Sequence, residues 1–323
     1  METTVVSRQP LQGVAEAFSG ATLERVELAD GRRFVLKHLP AGGDWLTRVS
    51  GSTDSVRRLW ESGLLARVGA VVDHTVVDVL RWDGRDVVVM RDASAQLLPP
   101  TLPVSRRTSR RLLAGLAALH DAGRAEPVQP LCPIGARYGM FAPAVHAADG
   151  GPGAHPIREL IVAGWDVFAS MADADVAAAV FALHGDPGAL GRRLARFPAT
   201  LVHGDVKLEN LGLGPSGLVA IDWGELTGFG PAEVDVAWYA LMNTLRVGGS
   251  PEDVFADYEA AAGHPLEREV LDLVCIGSLA QMGFKLARYA VAAPRAETRA
   301  AAAAQLAWWI ARVRAALDRV GPL

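Results

Sequence analysis

Cysteine is scarce in this chain. Only Cys132 and Cys275 occur among the 323 residues, and neither belongs to a Cys-x-x-Cys pair. Disulfide frameworks and zinc ribbons both need paired cysteines, so the sequence predicts neither. The first residues, METTVVSRQPLQ, also lack the apolar core of a secretion signal. These absences predict a reduced, cytoplasmic protein.

Long hydrophobic runs and an excess of one charge are missing as well. The longest apolar stretch, 270–284, ends at Lys285, and a bilayer span needs roughly 20 apolar residues. The formal net charge is −4, whereas a protein that binds duplex nucleic acid usually carries a basic face. We therefore expect neither a membrane nor a nucleic acid as a partner. The oligomeric state is left open.

Apolar residues, by contrast, are plentiful, because half of the chain is hydrophobic. This fraction is typical of folded proteins, and the length exceeds that of one ordinary domain. The first hundred residues favour strands. Alternating segments at 22–28 and 33–39 flank an Asp-Gly turn, and the segments at 74–82 and 85–92 flank another. The pattern predicts two hairpins.

The composition changes after the second hairpin. Three prolines in 97–103 interrupt the regular pattern, and from Ser105 the spacing of apolar residues is mainly helical. We therefore predict an α+β fold with a small strand-rich lobe and a larger, mainly helical lobe. The predicted division is 1–96 for the first lobe, 97–104 for the hinge and 105–323 for the second lobe.

The sequence also predicts individual elements within each lobe. In the first, 43–53 is predicted to be a loop and 54–68 a helix. In the second, the Pro- and Gly-rich stretch 126–157 is predicted to be a long irregular loop, and 200–223 a short strand-rich region. Helices are predicted at 158–171, 173–184 and 187–196 and over most of 233–320.

The most informative segment is LVHGDVKLENLGLGPSGLVAIDWG, residues 201–224. Asp205 and Asn210 share one predicted loop, and a hairpin turning at 214–217 brings Asp222 back beside them. Asn210 and Asp222 offer the oxygen ligands that Mg²⁺ prefers. Asp205 suits the role of a base toward an attacking hydroxyl group, and Lys207 could stabilise a transferring phosphoryl group. These residue types suit phosphoryl transfer from a donor such as ATP with Mg²⁺.

The same residues carry a family resemblance. His-Gly-Asp, then Asn210, then Ile-Asp-Trp-Gly resembles the catalytic loop and metal-binding segment of the aminoglycoside phosphotransferase and choline kinase-like family, which is related to protein kinases. The resemblance implies a protein-kinase-like two-lobed fold, with Asp205 as catalytic base and Asn210 and Asp222 as metal ligands. It also implies that His203 braces the loop and that Asp235 supports the loop from beneath.

The first lobe then resembles a nucleotide-binding lobe. Lys37 lies on a predicted strand, like the lysine that binds ATP phosphates in kinases. Such a lysine is held by an acid on the following helix. Asp54 and Glu61 lie on one face of the predicted helix 54–68, and Asp54 is the preferred candidate.

Other nucleotide contacts follow from the resemblance. No GxGxxG occurs, but Ser19 and Gly20 lie where the phosphate-binding loop is expected. Residues 89–93, which include Met90 and Asp92, resemble the linker whose backbone pairs with adenine. The expected cofactors are therefore ATP and Mg²⁺.

The acceptor is open at this point. The family implies a small molecule with a hydroxyl group, such as an antibiotic, a sugar or an amino alcohol. Lys207 and Glu209 also resemble the catalytic loop of protein kinases, which keeps a peptide hydroxyl as an alternative. A nucleotide-binding scaffold without activity is a third reading, although such proteins typically lose the lysine, the catalytic aspartate or a metal ligand.

Overall fold

A computed structural model gives the structure of the chain over residues 4–11, 20–40, 45–52, 54–125, 127–128, 130–148, 157–321 and 323.

The N-terminal part is built on five antiparallel strands: β1 (Val5–Pro10), β2 (Thr22–Leu28), β3 (Arg33–His38), β4 (Val76–Trp82) and β5 (Arg85–Arg91). Their order in the sheet is β1-β2-β3-β5-β4. The two predicted hairpins are confirmed as the β2–β3 and β4–β5 pairs. β3 is the central strand, so Lys37 lies between Leu23 of β2 and Val88 of β5.

Three short helices connect β3 to β4: α1 (Trp45–Ser50), α2 (Ser55–Glu61) and α3 (Leu64–Val68). The loop predicted over 43–53 was therefore wrong for the α1 residues. The single helix predicted over 54–68 was also wrong, because the helix is interrupted at Gly63. That residue has φ 74°, a conformation that glycine adopts without steric cost. The apolar spacing still places Leu59 and Leu65 in the core.

The C-terminal part is mainly helical. Ser105 begins it as the N-cap of the first long helix, where its Oγ accepts the N–H of Thr108. The helices are α4 (Arg106–Ala122), α5 (Ile134–Gly139), α6 (Pro143–Ala148), α7 (Ile157–Met171), α8 (Ala174–Gly185), α9 (Pro187–Leu194), α10 (Glu233–Asn243), α11 (Pro251–Ala262), α12 (Arg268–Ala292) and α13 (Ala296–Val320). The helices predicted over 158–196 are confirmed as α7, α8 and α9.

The irregular loop predicted over 126–157 was wrong where α5 and α6 form. The glycines of α5 serve close packing instead of a turn. A Cβ added at Gly135 would lie 2.9 Å from the carbonyl oxygen of Pro187, and one at Gly139 would lie 2.7 Å from the Cγ of Pro187. Glycine lets α5 approach α9 closely, so its presence here does not signal a loop.

The strand-rich region predicted at 200–223 is confirmed. It contains β6 (Thr200–Val202), β7 (Leu211–Gly214) and β8 (Gly217–Ala220), and β9 (Gly228–Gly230) follows shortly after. β7 and β8 form a hairpin, and β6 pairs with β9. Isolated bridges join this region to the N-terminal part, from Asp73 to Val219 and from Leu97 to Gly212.

Two helices form the centre of the C-terminal part. Every residue of α10 except Met242 is buried. α12 packs against α7, α10 and α13. α12 is long and apolar enough to cross a membrane, but 89% of its most apolar window is buried inside the protein. It is a core helix of this fold.

Candidate active site

The segment HGDVKLEN leaves β6 and ends in a 3₁₀ turn over Leu208–Asn210. The carboxylate of Asp205 is held at both oxygens. Its Oδ2 accepts the side-chain N–H of Asn210 at 3.0 Å and lies 2.9 Å from the Nζ of Lys207. Its Oδ1 accepts the indole N–H of Trp238 at 3.3 Å. The loop therefore presents Asp205 in one fixed orientation.

Asp222 follows β8 and is joined to Asn210 through the backbone, because the N–H of Ile221 donates to the carbonyl of Asn210 at 2.9 Å. Asp222 has φ 68°, an uncommon conformation for a residue with a side chain. Its Oδ1 lies 2.6 Å from the Nζ of Lys37 on β3. The structure thus brings Asp205, Lys207, Asn210 and Asp222 together, as predicted from the sequence, and Lys37 joins them through Asp222.

The charges in this cluster stabilise one another. The ammonium of Lys37 is the main cause that lowers the pKa of Asp222 well below its usual range, and Lys207 adds to the effect. The carboxylate of Asp205 is the main cause that raises the pKa of Lys207 above its usual range. Asp222 is therefore an anion and Lys207 a cation at neutral pH.

The loop is fixed from below, as the family resemblance implies for His203 and Asp235. The N–H of His203 and the N–H of Gly204 donate to the carboxylate of Asp235 at 2.7 and 2.8 Å. The ring of His203 donates from Nε2 to the carbonyl of Ile221 at 3.0 Å and accepts the N–H of Asp205 at Nδ1. These contacts confirm both supporting roles.

Asp235 is fully buried and also contacts the Nε2 of His120 at 3.2 Å. Burial alone would raise the pKa of Asp235. The hydrogen bond from His120 and the positive charge of Arg137 help to outweigh burial and lower that pKa. The buried carboxylate is therefore ionised, and it can accept both backbone N–H groups of the loop.

The expected ion pair between Lys37 and an acid of the following helix is not seen. Among the ion pairs of the described residues, Lys37 is joined neither to Asp54 nor to Glu61. Glu61 is bound by Arg57 at 3.4 Å. Asp54 precedes α2 with φ 55° and makes no side-chain cap. It lines a cavity of about 340 Å³ together with Gly224 and Glu225, so it stays near the Asp222 segment.

The remaining nucleotide candidates lie on β5 and near β2. Met90 pairs with Val35 of β3. Asp92 is bound by Arg25 at 2.9 Å, and Ser94 donates to it. Gly20 has φ 60°, and no atom of the described residues comes within 4 Å of a Cβ added there. Ser19 lies outside the described residues.

The side chains at the loop fit a divalent cation. Asn210 donates from Nδ2 to Asp205, which leaves its amide oxygen for a ligand, and Asp222 adds a carboxylate. Over the described ranges, no group of three or more His, Cys, Asp or Glu could hold a metal alone. Mg²⁺ is usually bound by one or two protein oxygens together with substrate phosphates and water, and Asn210 and Asp222 offer two such oxygens.

Two side chains at the site were not predicted from the sequence. Trp238 lies on α10 and reaches Asp205, and the buried Arg137 of α5 stacks on Trp238. The position of Trp238 after Asp235 could have indicated it, because both lie on one helix near the loop. Arg137 carries no such signal, since it lies in a stretch whose composition indicated a loop.

The fold and this site define a kinase-like phosphotransferase. Residues 12–273 match the model of the phosphotransferase enzyme family, APH, and the chain belongs to that family. No curated protein matches the chain.

Solved structures show the same fold. The choline kinase LicA from Streptococcus pneumoniae is 16% identical, with a TM-score of 0.53, and the match covers 95% of this chain and 94% of that one. LicA in complex with AMP gives a TM-score of 0.52 at 16% identity over 95% and 93%. Spectinomycin phosphotransferase APH(9)-Ia, in complex with ADP and spectinomycin, is 12% identical, with a TM-score of 0.53 over 97% and 93%. The predicted protein-kinase-like α+β fold is confirmed.

Proposed function

We propose that this protein transfers the γ-phosphoryl group of ATP to a hydroxyl group of a small molecule, with Mg²⁺. The observation that carries the proposal is the fixed carboxylate of Asp205 beside Lys207, Asn210 and the Lys37–Asp222 pair. A base, two cations and two oxygen ligands in one place match the needs of phosphoryl transfer. The relatives solved with AMP and with ADP and spectinomycin support a nucleotide and a small acceptor.

The catalytic roles follow from the contacts. Asp205 orients the acceptor hydroxyl and takes its proton as the new P–O bond forms and ADP leaves. Its Oδ1 receives one long hydrogen bond, whereas its Oδ2 has two close partners. Oδ1 is therefore the better proton acceptor. Lys207 stabilises the transferring group electrostatically.

The nucleotide roles belong to the same proposal. Asn210 and Asp222 hold Mg²⁺, which neutralises phosphate charge when bound. Lys37 binds phosphate oxygens. Residues 1–96 form the nucleotide lobe, 97–104 the hinge, and 105–323 the catalytic and acceptor lobe. The further nucleotide contacts are Ser19, Gly20, Asp54, Met90 and Asp92. We place the protein in the cytoplasm.

A mass-shift screen tests the proposal. The purified protein and Mg·ATP are incubated with pooled hydroxyl compounds, namely aminoglycosides, macrolides, sugars, amino sugars and choline analogues, and each pool is scanned for an added phosphate. Asp205→Asn is the inactive variant. Asp121→Asn is the matched control, because that side chain is 84% exposed and its one ion pair among the described residues is with Arg124.

Each result has a defined meaning. A phosphorylated product formed by the wild type and by Asp121→Asn, but not by Asp205→Asn, supports the proposal and names the acceptor class. ATP binding by calorimetry without a product directs the search to peptide acceptors. Absence of both ATP binding and product contradicts the proposal.

A further inference from the structure

Arg137 on α5 is buried and lies beneath the catalytic loop. Only 1% of the residue is exposed, and none of its three guanidinium nitrogens has a hydrogen-bond partner among the described residues. A buried charge without hydrogen bonds is costly, so its presence needs a compensating contact.

That contact is with Trp238. The guanidinium carbon of Arg137 lies 4.6 Å from the centre of the Trp238 ring, within the range of a cation–π interaction, which is stronger when both groups are desolvated. Trp238 itself is 3% exposed. The indole is therefore held on one face by a fixed cation, and its N–H points to Oδ1 of Asp205.

Arg137 also lies against the loop backbone. A Cβ placed on Gly204 would be 2.9 Å from Nη1 of Arg137, and the charge of Arg137 acts on the buried carboxylate of Asp235. The guanidinium thus lies close to two groups that set the position of Asp205: the indole of Trp238 and the backbone at Gly204.

We infer that Arg137 is a positioning residue that acts through Trp238: it fixes the indole so that its N–H donates to Oδ1 of Asp205 and orients the carboxylate toward the acceptor hydroxyl. This inference rests on the proposed function for its catalytic meaning. Its geometric part, the dependence of the Trp238 hydrogen bond on Arg137, can be tested without any activity.

The first measurement is the ¹⁵N–¹H spectrum of the tryptophan side chains, of which the chain has eight. Trp238→Phe assigns the Trp238 indole signal by its loss. Asp205→Asn shifts that signal in an otherwise wild-type chain, because the charge of the acceptor is gone. In Arg137→Met, the signal broadens or moves, and it no longer responds to Asp205→Asn.

Two controls belong to this measurement. Trp223 donates to the carbonyl of Ala220 at the same site, so its signal, assigned with Trp223→Phe, stays in place. Arg124→Met removes an exposed arginine and leaves the Trp238 signal unchanged. A Trp238 signal in Arg137→Met that keeps its position and its response to Asp205→Asn overturns the inference.

The second measurement is ADP formation from Mg·ATP with water as the acceptor. We expect Arg137→Met to lower the turnover number roughly 10- to 100-fold, because misplacement of a reacting group by about 1 Å has an effect of that order. KM for ATP stays unchanged. The double variant Arg137→Met/Trp238→Phe loses no more than about twofold beyond Trp238→Phe, because the two residues act as one unit. Additive losses, or a loss confined to KM, overturn the inference.

Arg137→Lys covers the case in which Arg137→Met is unfolded at the assay temperature. Lysine keeps the charge but not the planar stacking surface, so we expect a smaller change of the Trp238 signal and partial turnover. A signal identical to that of the wild type in Arg137→Lys, with turnover lowered as far as in Trp238→Phe, contradicts the inference. If wild-type ADP formation is not lost in Asp205→Asn, the proposed function fails, while the spectrum still decides the geometry.

Discussion

Lys37 and Asp222 are separated by 185 positions in the chain, yet the Nζ of one lies 2.6 Å from the Oδ1 of the other. This ion pair joins the central strand of the N-terminal sheet to the end of β8. Under the proposed function the two partners have different tasks, because Lys37 binds phosphate and Asp222 binds Mg²⁺. Nucleotide binding then replaces one direct pair by a Lys–phosphate contact and a metal–carboxylate contact.

The first prediction concerns that carboxylate. Asp222→Ala should remove most of the effect of Mg²⁺ on ATP affinity, because the protein loses a ligand of the metal. We expect the affinity for ATP in the presence of Mg²⁺ to fall about tenfold or more, equivalent to about 1.4 kcal/mol. Calorimetric titrations with and without Mg²⁺ measure this change, with Asp121→Ala as the control. If Asp222→Ala binds Mg·ATP as the wild type does, Asp222 is not a metal ligand.

The second prediction compares two glycines of the site. Gly204 has φ 86°, and a Cβ there would lie 1.9 Å from the carbonyl oxygen of Leu226. Gly204→Ala should therefore displace the catalytic loop and destabilise the protein by about 2 kcal/mol or more. No atom of a described residue lies within 4 Å of a Cβ added at Gly224, so Gly224→Ala should change stability by less than about 1 kcal/mol.

Urea unfolding of both variants measures the difference. Equal midpoints for Gly204→Ala and Gly224→Ala would show that the loop tolerates a side chain at Gly204, contrary to the close approach of Leu226.

The third prediction concerns Asp235. Asp235→Asn replaces one acceptor oxygen with an N–H₂ group that faces the backbone N–H donors of His203 and Gly204. We expect a loss of about 3 kcal/mol in the free energy of unfolding, since a buried donor is left without a partner. Asp121→Asn on the surface should stay within about 0.5 kcal/mol of the wild type. Similar unfolding midpoints for the two variants would contradict this account of the loop.

The fourth prediction concerns acid sensitivity. His184 is bound through Nε2 to the carbonyl of Ala280 and stacks edge-on with Trp165. Burial lowers the pKa of His184 below the ordinary value of 6.5, so the unfolded chain binds a proton more readily than the folded one. The contribution of His184 to the free energy of unfolding is therefore complete above pH 6.5 and decreases as the pH falls below that value.

Melting temperatures between pH 7.5 and pH 5 test this point. We expect Tm to fall less steeply with acid in His184→Gln than in the wild type. Some acid sensitivity should persist, because burial lowers the pKa of His74 in the same direction. The exposed His264 supplies the control variant, His264→Gln, which should follow the wild type. Parallel curves for wild type and His184→Gln would refute the prediction.

The segment 201–224 was predictable because its contacts join residues that are close together in the sequence. Asp205, Asn210 and Asp222 are brought together by one loop and one hairpin, and turn residues and alternation indicate both. The same is true of β2 to β5. Their turns carry Asp-Gly pairs, and their apolar residues alternate as strands of a half-buried sheet do.

The parts that were missed depend on contacts between distant segments. Gly135 and Gly139 contributed to the prediction of a loop, but in the structure they allow α5 to pack closely on Pro187. Gly63 was read as part of one helix, but its positive φ ends that helix. Arg137 has no local signal, because its stacking on Trp238 joins α5 to α10. Whether Lys37 and Asp54 pair likewise depends on how α2 lies against β3, and the spacing of apolar residues does not indicate this.

The burial of α10 has a consequence for motion. The amides of His203 and Gly204 donate to a carboxylate on a helix that is buried along almost its whole length. We expect these two N–H groups to exchange slowly with solvent, because exchange requires the core around α10 to open. Under the proposed function, we therefore expect nucleotide entry and release to depend on movement of the N-terminal sheet and not of the loop at His203 and Gly204.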